Sequence, residues 1–149
     1  MGQRKVVFVP HCILNQSIRE NQSDSVKEIV KMFADSNVGI VQLPCPKAES
    51  NGKSYRECCK RISSKTLGDV KEYLRKDCKV LGILGVEFSS TCGVYRIGSG
   101  KKTVPGKGVF IEELEKGMRK ENFQVPIISV NTSNVFSALE KLSAMIKNS

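Results

Sequence analysis

The chain reads as an α/β protein: a small doubly wound, Rossmann-like parallel sheet of about four strands in the order 2-1-3-4, with helices on both faces. Three observations predict this. Short apolar runs alternate with stretches whose apolar residues recur at helical spacing. The runs are apolar throughout rather than at every second residue, as strands covered on both faces are. Strand–helix alternation in turn calls for parallel strands joined by right-handed crossovers. In the order 2-1-3-4 the switch point lies between strands one and three.

Residues 5–9 (KVVFV) are the first expected strand. Residues 24–36 follow as a helix, because Val26, Ile29, Val30 and Phe33 fall at i, i+3, i+4 and i+7 and share one face. Ser25 and Glu28 have capping-box spacing near its start. Residues 38–43 are strand two. Leu67, Val70 and Leu74 mark a second helix over 65–77, and residues 79–85 are strand three. A third helix is expected over 110–120 and a fourth strand over 126–130. The last helix, 134–147, carries a stripe of Val135, Leu139, Leu142 and Ile146. Two connections are long, 44–64 and 88–109, and both leave the C-terminal end of a strand. Loops of that length without their own structure are usually functional or disordered. No repeat, low-complexity tract or linker divides the chain, so residues 1–149 are expected to form a single domain.

With 149 residues, 40% of them hydrophobic, the chain can bury about 70% of the surface its unfolded form exposes. No apolar run approaches the roughly 18–20 residues of a membrane span. No secretory signal is visible after Met1, so a cytoplasmic location is expected. Gly2 suggests myristoylation, but Val6 stands where that motif has Ser or Thr. In a reducing compartment, six cysteines point to metal or catalysis rather than to disulfides. The net charge of +9, from 24 basic and 15 acidic residues, attracts anions, including nucleic acid. The lysines are nevertheless dispersed, with Lys101-Lys102 the tight pair beside a candidate site. Aromatics are only 6% of the chain, which argues against a stacking platform for single strands.

Three cysteines sit just past the ends of strand-like runs. Cys12 follows KVVFVP, Cys45 follows VGIVQLP, and Cys92 follows KVLGILG after a short loop. Parallel strands present their C-terminal ends on one edge of the sheet. Strands two, one and three are neighbours in the expected order, about 4.8 Å apart, so the outer two are about 10 Å apart. Thiols at the three ends can therefore lean toward a shared point. A cubane iron–sulfur cluster suits that geometry, and so does tetrahedral zinc with His11 as fourth ligand. Cys58, Cys59 and Cys78 do not share the placement. Cys78 lies at a helix end and reads as structural, whereas vicinal Cys58-Cys59 lies in a long loop with the capacity to bind metal or react.

VPHCILN, LPCP and SSTCGVYRIGSGKKTVPGKGV, in this order, resemble the 2-thiouracil desulfidase (TudS-like) family over most of the chain. The resemblance implies a [4Fe–4S] cluster held by only three cysteines. By motif position these are Cys12, Cys45 and Cys92, with the fourth iron open to sulfur. It implies removal of sulfur from a thiolated nucleobase or related thiocarbonyl compound; because water can add to the polarised C=S carbon with no net electron transfer, a non-redox, hydrolytic route is expected. The expected partner is a thiolated base or nucleoside, with thiolated tRNA as a larger alternative. Ser89 occupies the serine of the family's Ser-x-x-Cys-Gly motif and is expected to contact substrate or relay a proton, with Ser90 and Thr91 as competing hydroxyls. The family often has glutamate directly after Cys-Pro, but here that position is Lys47. Glu87 and Glu49 are the substitutes by location, and Glu87 is taken as the catalytic carboxylate. His11 adjoins Cys12 and could tune the cluster or move protons. Asn15 and Arg19 could bind a base edge. The glycine-rich stretch from Gly98 to Gly108 is not a Walker A motif. It is expected to form a mobile flap, with Lys101, Lys102 and Lys107 within reach of a phosphate. The competing reading is an iron–sulfur or zinc-binding module without desulfidase activity, associated with RNA.

Overall fold

The first strand, β1 (Lys5–Pro10), is apolar on both sides because both its faces are covered: Val6, Val7, Phe8 and Val9 are all buried. In this computed structural model, residues 3–15, 17, 26–46, 50, 54–99 and 101–149 are described. After β1 come α1 (His11–Leu14), α2 (Lys27–Asp35) and β2 (Val38–Leu43). The chain continues through α3 (Tyr55–Arg75), β3 (Lys79–Val86), β4 (Arg96–Ser99), β5 (Lys102–Pro105), α4 (Val109–Glu121), β6 (Ile127–Val130) and α5 (Val135–Lys147).

The main sheet runs β2-β1-β3-β6, and every pairing in it is parallel. This is the order 2-1-3-4 that the alternation predicts. The even side chains of β1, Val6 and Phe8, pack with Ile62, Leu67 and Val70 of α3 and Phe110, Ile111 and Leu114 of α4. The odd ones, Val7 and Val9, pack with Ile29 and Phe33 of α2 and Ala138 and Leu142 of α5. Helices therefore cover both faces. Cys92 packs against both clusters, which places it at the seam where the two half-cores meet beyond the sheet edge.

Both long connections hold more structure than expected. The second helix begins at Tyr55 rather than at residue 65, and its buried stripe includes Cys58, Cys59, Ser63 and Thr66. Leu74, expected on the buried side, is 44% exposed. The connection after β3 contains the antiparallel hairpin β4–β5, in register Arg96↔Pro105 to Ser99↔Lys102. The hairpin is fastened to the sheet end through Phe88, whose N–H donates to the Arg96 carbonyl at 3.0 Å and whose carbonyl accepts from Gly98 N–H at 2.7 Å. The stretch expected to form a mobile flap thus includes a ribbon bonded to the loop that carries Cys92. The Ser25 capping position lies outside the described residues. Among the described residues no helix is long and apolar enough to cross a membrane.

Candidate metal centre

Three chain segments deliver the cysteines to one place. Cys12 follows β1 in the single turn of α1, which opens at Pro10. Cys45 lies just beyond β2, between Pro44 and Pro46, and β1 pairs with β2 up to Pro10↔Leu43. Cys92 sits in the turn after β3. All three wall one cavity of about 30 Å³, together with Pro10, His11, Leu43, Pro44, Pro46, Thr91 and Phe110. That is room for about two waters. The wall is mostly apolar, and no carboxylate among the described residues contributes to it. No disulfide joins any of the six cysteines.

Proximity also shows in the electrostatics of Cys92. Burial pushes its thiol up, the Ser89 hydroxyl and a Val86 backbone hydrogen bond oppose this, and charge on Cys12 or Cys45 would push it further up. Among the described residues, no group of three or more His, Cys, Asp and Glu side chains is gathered closely enough to hold a metal ion. A single zinc with Zn–S bonds of about 2.3 Å needs its sulfurs about 3.8 Å apart.

The loop 88–93 is built to hold Cys92 still. Phe88 adopts φ 73°, a left-handed conformation costly for a bulky residue, and so turns the chain back over the sheet end. Ser89 Oγ then accepts from the N–H groups of Thr91 at 3.1 Å and Cys92 at 3.2 Å. The start of α4 closes over the loop, since Phe110 N–H donates to the Thr91 carbonyl at 3.0 Å. A Cβ on Gly108 would overlap that carbonyl, and one on Gly85 would overlap the carbonyl of Cys92. The glycine before α4 thus serves close backbone approach rather than a phosphate cradle.

The other sequence candidates divide. Ser89 lies beside Cys92 and orders its turn. Glu87 is not part of the cavity wall. Its Oε1 accepts from the N–H groups of Tyr95 at 3.0 Å and Arg96 at 2.6 Å, and Oε2 accepts from the Ser129 hydroxyl. Burial pushes the Glu87 carboxyl up, but its bonds to Ser129, Arg96, Tyr95 and Phe88 outweigh this and hold it below the ordinary value. His11 is a wall residue, and its Nδ1 is buried without a hydrogen-bond partner among the described residues. Asn15 Oδ1 accepts from Ser17 N–H at 3.2 Å. Arg19, Lys47 and Glu49 lie outside the described residues. Cys58 and Cys59 are buried on α3, and Cys78 is buried just before β3. Lys107 is paired with Glu115 at 2.7 and 2.9 Å, whereas Lys101 and Lys102 are exposed at the hairpin turn.

Tyr55 is the neighbour the sequence did not bring forward. Its hydroxyl lies 2.5 Å from Thr91 Oγ1 and also hydrogen-bonds the Cys59 side chain. Burial raises the Tyr55 pKa, the bond to Thr91 opposes this, and charge on Cys59 and Cys45 adds to the rise. Its helical position four residues before Cys59 is a usable signal once α3 is known to begin at Tyr55. Size alone would choose another place: a groove of about 730 Å³ runs beside α4 and the start of β6, lined by Tyr95, Lys107, Glu115 and Arg119. It holds no cysteine, and its charged groups include an internal ion pair, so the chemistry favours the smaller cavity.

No family model matches the chain. An uncharacterized protein of Methanocaldococcus jannaschii is 28% identical over 166 aligned positions, which span 99% of this chain and 100% of that protein. Among solved structures, the [4Fe–4S]-dependent thiouracil desulfidase TudS shares the fold. The TM-score is 0.55 at 17% identity, over 95% of this chain and 99% of that one. At that identity the likeness is one of architecture.

Proposed function

We propose that the protein is a desulfidase that removes sulfur from a small thiolated base through a [4Fe–4S] cluster bound by Cys12, Cys45 and Cys92. One observation carries the reading: three thiols from three strand ends wall a single, mostly apolar cavity while the other three cysteines stay outside it. Three cysteine donors, with no fourth cysteine in the wall, match a cluster that would keep one iron open, as catalytic metal sites do. Bound there, the cluster would supply a sulfur-seeking Lewis acid that polarises a C=S bond. The cavity holds about two waters as it stands, so the three cysteines and the wall around them would have to move apart to seat the cluster. The fold shared with a thiouracil desulfidase supports the same reading.

The protein's own residues then have definite work. Pro10, Leu43, Pro44 and Phe110 keep bulk water from the reacting centre. Ser89 holds the turn that aims Cys92 and hydrogen-bonds its sulfur. The substrate is taken as a free base or nucleoside, in line with the thiouracil desulfidase that shares the fold; the tRNA alternative finds no such support.

The test is anaerobic reconstitution, followed by iron and sulfide analysis and 2-thiouracil turnover. Wild type is expected to take up iron and sulfide in equal amounts and to release sulfide from 2-thiouracil. Cys12→Ala, Cys45→Ala and Cys92→Ala are each expected to abolish both, whereas Cys78→Ala retains both. Full turnover by iron-free protein, or a colourless protein that binds only zinc, would refute the proposal.

A further inference from the structure

Among the described residues that line the cavity, Thr91 is the one that bears a hydroxyl. Thr91 is 4% exposed, and its Oγ1 lies 2.5 Å from the Tyr55 hydroxyl; either oxygen can donate. Tyr55 in turn hydrogen-bonds the Cys59 thiol, which is fully buried. Three polar side chains therefore run in line from the cavity wall into the core between α3 and the Cys92 turn. Buried hydroxyls cost free energy unless they are paired, and these pair with each other. Each hydroxyl has one proton and two lone pairs, so a pair bonded once still has capacity for a further partner.

Thr91 is also held from three sides. Its N–H donates to Ser89 Oγ, its carbonyl accepts from Phe110 N–H, and its side chain is tied to Tyr55. A hydroxyl fixed in this way is preorganised for a ligand rather than free to seek water. Both Glu87 oxygens are engaged by the hairpin and Ser129, away from the wall. The position after Pro46 is Lys47, so no carboxylate stands there.

We propose that Thr91 is a catalytic residue, its hydroxyl hydrogen-bonding the substrate and relaying one proton, and that Tyr55 is the positioning residue that aims it. This rests on the desulfidase reading. In the hydrolysis, the oxygen of water bonds to the thiocarbonyl carbon and the C=S pair moves onto sulfur. Thr91 takes one proton from the attacking water as it gives its own to the sulfur. The C–S bond then breaks, the remaining O–H proton leaves as the carbonyl forms, and sulfur departs as hydrogen sulfide. The balance is thiocarbonyl plus water to carbonyl plus hydrogen sulfide, with no change of oxidation state.

The experiment uses reconstituted wild type, Thr91→Val, Thr91→Ser and Tyr55→Phe, with three readouts: iron and sulfide content, uracil affinity by calorimetry, and 2-thiouracil kinetics. All four proteins are expected to hold equal iron and sulfide. Thr91→Val should bind uracil roughly tenfold more weakly and lose about 10²–10⁴ in kcat. Thr91→Ser should recover most of both, and Tyr55→Phe should lower kcat roughly tenfold with KM little changed. Wild-type uracil affinity in Thr91→Val, or loss of iron from Tyr55→Phe, would overturn the assignment. Inactivity of loaded wild type would sink the desulfidase reading and the proton relay with it, leaving the hydrogen bond to the base. The hydroxyl pair would then stand or fall on uracil affinity, and absence of uracil binding by wild type would overturn it as well.

Discussion

Gly108 has no room for a methyl group, because a Cβ there would overlap the carbonyl of Thr91. That carbonyl belongs to backbone held by Phe110 N–H, so the neighbour cannot yield cheaply. Gly108→Ala is therefore expected to destabilise the fold by about 1–3 kcal/mol, the usual cost of overpacking. It should also lower iron uptake, because the strain falls on the turn that carries Cys92. Denaturant unfolding of the iron-free protein measures the first effect, and wild-type stability would show that the close approach is not needed. At this scale the cysteines were legible because thiols after consecutive parallel strands must share an edge, whatever the loops do. Glu87 was not legible as a hairpin anchor. Its partners are backbone N–H groups of Tyr95 and Arg96 and the hydroxyl of Ser129, 42 residues away. Tyr55 stayed hidden because its value depends on a helix whose start the apolar pattern did not reveal.

Among the elements, the β4–β5 hairpin depends on that carboxylate more than on burial, since β5 is exposed along its whole length. The pH dependence follows in sign from the Glu87 shift. Its folded pKa lies below the ordinary glutamate value of about 4.3, so its contribution is fully present above that value. The contribution is lost as pH falls through the lower, folded value. With partial exposure to solvent, the effect should be on the order of 1 kcal/mol. Amide hydrogen exchange at Tyr95 and Arg96 should speed up, beyond its intrinsic pH dependence, as pH drops below about 4. In Glu87→Gln it should be faster at neutral pH and lack that acid transition. Equal profiles for the two proteins would remove Glu87 as the anchor. The same physics explains which elements the sequence showed. The four main strands and the last two helices carry enough aliphatic side chains to display their period. The first half of α3 buries Cys58, Cys59, Ser63 and Thr66, residues that register weakly as apolar. The hairpin buries almost nothing, so no alternation betrays it, and its glycines read as a mobile flap.

For the whole molecule, the cavity lies where three chain segments that follow neighbouring strands come together. Cys12, Cys45 and Cys92 extend three adjacent strands, β1, β2 and β3, and Cys92 touches the core on both faces. A group bound by all three thiolates would bind the folded chain and not the unfolded one, so its binding free energy adds to folding stability. At a concentration 100 times its dissociation constant, the added stability is about 2.7 kcal/mol. For a chain of this length that corresponds to a rise of roughly 5–10 °C in melting temperature. Reconstituted wild type should therefore melt higher than iron-free wild type under anaerobic conditions. Each single alanine variant at Cys12, Cys45 or Cys92 should lose most of the increment, since removing one thiolate releases one strand end. Cys78, buried at the start of β3 on the opposite edge of the sheet, provides the control. Cys78→Ala should lower both melting temperatures together and leave their difference unchanged. A difference that survives in Cys92→Ala but disappears in Cys78→Ala would place the stabilising group away from the C-terminal edge of the sheet.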